Sequence, residues 1–457
     1  MLNSLKIGDF SVVPTLENFI NRQRELPFQT MIELNIIPFF VDLISNFVLT
    51  DQNASLMASL LHIFALLTQS RSPIFNNYIN RNFITKLIGL ISVHSCLIFS
   101  LWSISNLISV SDFIFEIFLD SQIFSILTPL CSNFQSKEIL VLCSVIHKRS
   151  VKRINHKVDL SIYIQNIQTL ILSNDEVVLS LCMKSISKLI NSEANFINID
   201  FYKSVIQNIF LKFALTTAQY SEYIRSHQNA TSNSFLNIQN HQNIEDASKN
   251  VQENCQNDLI FGSALNLLIS LLSTDNPEVY ELLRQTPILP ILVKGMTFPN
   301  PTIQEASIQA VCLVIVNMPN YANEILQSGV LEIIFLTVND GDFKCKKAVT
   351  EALCRIIYQE NYKILHLEIF NRGGIAFLID TMINMHEIMP EILDVLYFIK
   401  VTYPDLVPVM VESGLIDNLN EIIAGMNEDD EINENVFNKA QVFFEELIEI
   451  ASHLNYE

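Results

Sequence analysis

The chain has 457 residues, 49% hydrophobic and 17% charged, with a net charge of −20 and only 10 glycines. Glycine at about 2%, against an average near 7%, excludes architectures built on glycine turns, such as nucleotide-binding loops and many-hairpin sandwiches. The apolar content excludes disorder over most of the length. The acid excess lies wholly in the second half: residues 1–215 carry 16 Lys+Arg against 15 Asp+Glu, and residues 216–457 carry 12 against 33, which fits poorly with a nucleic-acid binder.

Met1 to Phe10 lacks the basic stretch and apolar run of a secretion signal. The eight cysteines therefore read as reduced core residues, and the sequons at Asn53 and Asn229 as chance matches. No CxxC pair occurs and His and Cys never cluster at ligand spacing, so no metal or other cofactor is expected. An acid, base and nucleophile in a recognisable pattern are also missing, and no enzyme activity is expected.

Taken in chain order, the chain repeats itself. One helix of each repeat starts at Ile36, Phe83, Ile123, Ile288, Val330, Ile375 and Leu415. A longer amphipathic helix follows, with Leu61, Trp102, Cys143 and Lys184 spaced at 41 residues, then Cys312, Cys354 and Tyr397 at 42 and 43. Leu87–Ser111 is free of Asp, Glu, Lys and Arg and long enough to span a bilayer. Its seven serines, His94 and the repeat pattern assign it to stacked helices instead. The basic run Lys148, Arg149, Lys152, Arg153 and Lys157 reads as a solvated loop between repeats, with an acidic partner, a phosphate or a localisation signal as the functional alternatives.

From 218 to 258 the periodicity stops; eight Asn and six Gln make this a mobile, polar, disordered insertion within the fifth repeat. Beyond it, Gly329, Gly374 and Gly414 stand where a short first helix must turn into the second, a position for positive φ. The end, 421–457, is an acidic capping repeat. Units that cannot bury their apolar faces alone form one continuous core when stacked. The expectation is an all-α, armadillo-type right-handed α-solenoid, a superhelix of nine to ten three-helix repeats over 1–457, monomeric and without a membrane span.

At Leu101-Trp102-Ser103-Ile104-Ser105-Asn106 a third helix carries Trp-x-x-x-Asn, two residues on one helical face. This resembles the importin-α family, whose third helices line a concave groove with such pairs. The stretch from Leu16 through Ile36-Ile37-Pro38 is similar to that family's opening repeat, and Ser413-Gly414-Leu415 through Phe443-Phe444-Glu445-Glu446 to its closing one. The resemblance implies a peptide adaptor in nuclear import, found in cytoplasm and nucleus. Indoles would hold the Lys and Arg stems of a localisation peptide, Asn amides would bind its backbone, and acids would meet its charges.

Carried over residue by residue, the groove would comprise Trp102, Asn106, His147, Tyr358 and Tyr397, with Asp112 as the nearest substitute for the family's acid. Glu428, Asp429, Asp430 and Glu431 would form an acidic partner site for a transport receptor. The chain departs from the family in keeping one proper Trp/Asn pair of eight and in placing Lys184 and Lys188 where a basic peptide would lie. The segment that recruits importin-β is missing. A basic peptide is therefore expected on the acidic C-terminal half, and the alternative is an armadillo scaffold for a cytoplasmic complex.

Overall fold

The structure, a computed structural model, describes residues 2–22, 32–132, 136–154, 159–193, 197–210, 244–318, 321–340, 342–425 and 431–454. Among these residues every regular element is helical, and the chain divides into two compact units, Met1–Asn208 and Ile209–Glu457. In the first unit the third helices Ala54–Thr68, Leu97–Ile108, Lys137–Ser150 and Glu176–Glu193 stack one on the next. The second helices Ile36–Asn46, Arg81–Gly89, Ile123–Ser132 and Leu160–Leu170 pack against them as a second layer. In the second unit the third helices are Ile244–Leu272, Pro301–Asn317, Phe343–Tyr358, Met389–Thr402 and Glu431–Leu454. Its second helices Ile288–Met296, Val330–Asp340, Gly374–Asn384 and Leu415–Gly425 pack on these in the same way. Both units are thus all-α, armadillo-type stacks.

The helices start where the sequence provides a cap. Asn80, Ser111 and Asp342 accept hydrogen bonds from the backbone N–H groups of Phe83 (3.0 Å), Ile114 (3.2 Å) and Cys345 (2.8 Å), donors that the helix itself leaves unpaired. Between first and second helices the backbone enters the left-handed region. Gly329, Gly373 and Gly414 have φ of 80°, 82° and 86° there, and Asn35 and Gln122 hold the same turn at 55° and 54°. The turn residue before Ile375 is thus Gly373, whereas Gly374 is the first residue of the helix, packed against Ile369. Only the absence of Cβ permits that approach, since a methyl group would meet the Ile369 Cγ2 at 2.4 Å.

Within each unit, asparagine side chains tie one repeat to the next. Asn166 donates to the Phe124 carbonyl 42 residues back (2.9 Å), Asn317 to Leu272 across 45 (2.6 Å), and Asn418 to Ile379 across 39 (2.8 Å). The sequence period thus returns as the spacing of the tertiary contacts. Apolar faces fill the space between layers: Phe64, Phe75 and Phe83 are fully buried, with Phe64 edge-on to Phe83 at 5.0 Å. Each such ring stabilises by roughly 1.5–3 kcal/mol. Among the described residues seven cysteines are unpaired and buried.

Two sequence expectations change in detail. Leu87–Ser111 is broken into the end of one helix, a tight turn at Leu90–Ser92 and the helix Leu97–Ile108. Among the described residues no single helix is long and apolar enough to cross a membrane; the pair Asp112–Asp120 and Ile123–Ser132, bent by 71°, passes that test by length and composition only. The helix Ile244–Leu272 begins inside the segment expected to be a polar insertion. The rest of that insertion, 218–243, lies outside the described residues.

Candidate partner-binding faces on the third helices

Trp102, Asn106, His147, Tyr358 and Tyr397 stand on third helices, whereas Asp112 opens the helix Asp112–Asp120. In the first unit Trp102 is half-buried, its indole 5.8 Å from the His62 ring, which stacks on Phe99 at 4.6 Å. Asn106, one turn further on, faces inward and is buried. Its Nδ2 donates to the Ala65 carbonyl (3.1 Å) and to Thr68 Oγ1 (3.2 Å), and its Oδ1 accepts from Arg149 (2.9 Å). The amide is committed to holding three successive third helices together, so the structure does not offer it to a ligand.

His147 is also interior. Its Nδ1 donates to the Cys143 carbonyl at 2.8 Å, its Nε2 is without a partner, and its ring lies 5.3 Å from Phe124 and 5.1 Å from Tyr163. Burial pushes its pKa down to about 4, against the weaker opposing effect of its hydrogen bond to the Cys143 carbonyl. Asp112 does reach the surface, in the first turn of a helix capped by Ser111, where it is ion-paired with Arg153. The resemblance places Asn106 and His147 on an open groove; packing turns both inward, because the next repeat supplies partners for them.

The basic run expected to be a loop is mostly ordered helix. Lys148 and Arg149 occupy the last turn of Lys137–Ser150, and Lys152 and Arg153 the following tight turn, while Lys157 lies outside the described residues.

In the second unit the third helices carry both signs of charge, with Lys344, Lys346, Lys347, Glu351 and Arg355 on Phe343–Tyr358. Tyr358 is 43% exposed and Tyr397 39% exposed, and around them stand Glu351, Glu391 and Asp394. Burial first, then Asp394 and Glu391, push the Tyr358 phenol up to about 12. Burial, Glu391 and Glu351 likewise push the Cys354 thiol up to about 12 against an opposing Arg355, and Lys347, bonded to Glu387, lies near the same two carboxylates. Asp394 is paired with Lys439 at 2.6 Å, and Glu387 with Lys347. Lys400 lies 4.6 Å over the Tyr397 ring and is also paired with Glu446. A cleft of about 370 Å³ between Leu393, Asp394 and Tyr397 on one helix and Lys439, Val442 and Phe443 on the next opens on this side.

Glu351, Glu391 and Asp394 were not singled out from the sequence. Their signal is a charge standing at helical spacing within an apolar third-helix run. Glu428, Asp429 and Asp430 lie outside the described residues, and Glu431 begins the final helix. Among the described residues no group of three His, Cys, Asp or Glu is placed to hold a metal ion.

No protein-family model matches this chain, and no curated protein matches its sequence. Among solved structures it is similar to an engineered protein, a structural-genomics target, at 12% identity and a TM-score of 0.69, covering 96% of this chain and 95% of that one. That likeness shows a shared fold. A designed armadillo repeat protein is similar at 12% identity, covering 61% of this chain and 99% of that one, with a TM-score of 0.43. Another designed armadillo repeat protein, in complex with the peptide (KR)4, is similar at 13% identity over 61% of this chain and 98% of that one, also at 0.43.

Proposed function

We propose that this protein is a non-enzymatic, peptide-binding scaffold whose partner is an extended basic segment lying across the third helices of the C-terminal unit. The observation that carries the reading is the conjunction of Glu351, Glu391 and Asp394 with the half-exposed rings of Tyr358 and Tyr397 on neighbouring third helices. Carboxylates meet Lys and Arg head groups, and aromatic faces accept their stems and charge. The contact of Lys400 with Tyr397 shows this chemistry inside the chain itself.

A partner of this kind suits an importin-α-like adaptor that moves between cytoplasm and nucleus, with the acidic segment Glu428–Glu431 as a contact for a transport receptor. The alternative, a cytoplasmic scaffold without a transport role, draws support from the inward turn of Asn106, which removes the chain's one Trp/Asn pair from service. Co-purification of nuclear transport receptors with the full chain separates the two.

The binding face is tested by fluorescence anisotropy with a labelled peptide of alternating Lys and Arg. Replacing Glu351→Gln and Glu391→Gln together should weaken binding about tenfold and flatten its salt dependence. Unchanged affinity in that variant would remove the proposal.

A further inference from the structure

Six cations come together on the third-helix side of the first unit: Arg71, Lys148, Arg149, Lys152, Lys184 and Lys188. Arg71 follows the helix Ala54–Thr68 in the left-handed region, at φ 49°. Lys184 and Lys188 stand one turn apart on Glu176–Glu193, beside Lys148, Arg149 and Lys152 of the preceding repeat. The helix Lys137–Ser150 and the tight turn Val151–Arg153 both pack against Glu176–Glu193, which brings these side chains together, and three of the six are shifted accordingly. Burial lowers Lys148, and Lys184, Lys188, Arg149 and Arg71 lower it further. Burial and then Arg71 hold Arg149 down to about 10, and burial, Lys152 and Lys184 lower Lys188.

Among the described residues none of the six forms an ion pair, whereas Arg81, Lys137 and Arg153 of the same unit are matched with Asp120, Asp175 and Asp112. Arg149 is held only by the neutral oxygens of Ser105 (3.0 Å) and Asn106 (2.9 Å). Cations at helix C-termini satisfy the dipole, which accounts in part for Arg71, Lys148 and Arg149. It does not account for Lys184, in the middle of its helix. Apolar residues precede the charges on the same helices: Leu142 and Val145 before Lys148, and Leu181 before Lys184, all half-buried.

We propose that this face binds an extended acidic peptide, with carboxylates or phosphates against the six cations and apolar side chains against Leu142, Val145 and Leu181. Stacked helices lie about 10 Å apart and an extended chain advances about 3.3 Å per residue. One acidic side chain about every third residue therefore meets each successive helix. The apolar neighbours and the acid excess elsewhere in residues 1–215, 10 Lys+Arg against 15 Asp+Glu outside the six, favour a peptide over nucleic acid, which needs a longer basic track. This surface is independent of the basic-partner face: it lies on the other unit and takes a partner of the opposite sign.

The test uses the full chain and a fluorescein-labelled peptide of repeating Glu-Glu-Leu, with single-stranded oligo-uridine RNA as the second probe. The expected result is salt-sensitive binding of the peptide, weakened about tenfold in Lys184→Gln/Lys188→Gln. Arg71→Gln/Lys152→Gln, both at exposed positions, should weaken it comparably without touching the core. Lys203→Gln, exposed but outside the cluster, should leave it unchanged. Failure of the peptide to bind, binding that survives both double substitutions, or binding of the RNA in place of the peptide would each overturn the proposal.

Discussion

Replacing Asn106 by alanine tests whether this residue belongs to a ligand site or to the frame. Its amide gives two hydrogen bonds to the preceding repeat, to Ala65 and Thr68, and takes one from the Arg149 guanidinium of the following repeat. The Ala65 carbonyl would keep the Thr68 hydroxyl as a donor (2.9 Å), so truncation leaves no orphaned carbonyl there. The loss is then the net worth of two neutral bonds plus one to a charged group, with a small cavity: about 3–5 kcal/mol in all. The chain's one tryptophan is Trp102, on the same helix, so its fluorescence in a urea titration reports the unfolding of this unit. A midpoint shift of roughly 1–2 M is expected. Combining Asn106→Ala with Arg149→Gln should give a coupling of about 1 kcal/mol, because the two residues share a bond. A Trp102 transition unmoved by Asn106→Ala, or strict additivity with Arg149→Gln, would refute the argument.

The remaining predictions concern pH and backbone. His147 titrates near 4 in the folded chain, because its charged form would place an unpartnered N–H at Nε2 in the core, against about 6.5 when unfolded. Between these values the unfolded state binds the extra proton. The contribution of His147 is therefore complete above pH 6.5 and lost as pH falls towards 4, by up to about 3 kcal/mol. Urea midpoints of the first unit measured across this range should show that slope, and His147→Met should lack its share of it; equal slopes would count against the assignment. Gly373→Ala meets no atom within 4 Å and should cost only the left-handed strain, about 1–2 kcal/mol. Gly374→Ala drives a methyl group into Ile369 and should cost more, an order that thermal denaturation of the two variants will check.

The repeat and its length were legible because they rest on local physics. Apolar side chains at helical spacing force an amphipathic helix, and a glycine or a cap ends it, whatever the partner. The cysteines' burial followed from composition in the same way. The sequence also showed where the acids accumulate, in residues 216–457. Individual site residues were less legible. One residue along a helix turns the side chain by about 100°, so a column read at period 41 cannot separate a stripe facing solvent from one facing the next repeat. Four residues beyond Cys312, where a Trp-x-x-x-Asn spacing puts the Asn, stands Val316, whereas its neighbour Asn317 makes the tie to Leu272.

The amino-acid sequence by itself determined an all-helical chain of stacked three-helix units, the turns between them, and an acid-rich second half. Tertiary structure alone decided which polar residues serve the frame and which face outward. Asn106 is sequestered by Ala65, 41 residues before it, and by Arg149, 43 residues after it. Lys148 and Lys184 are brought together across two repeats. Those outcomes depend on how adjacent helices rotate to close their packing, a property of pairs of repeats that no single segment encodes.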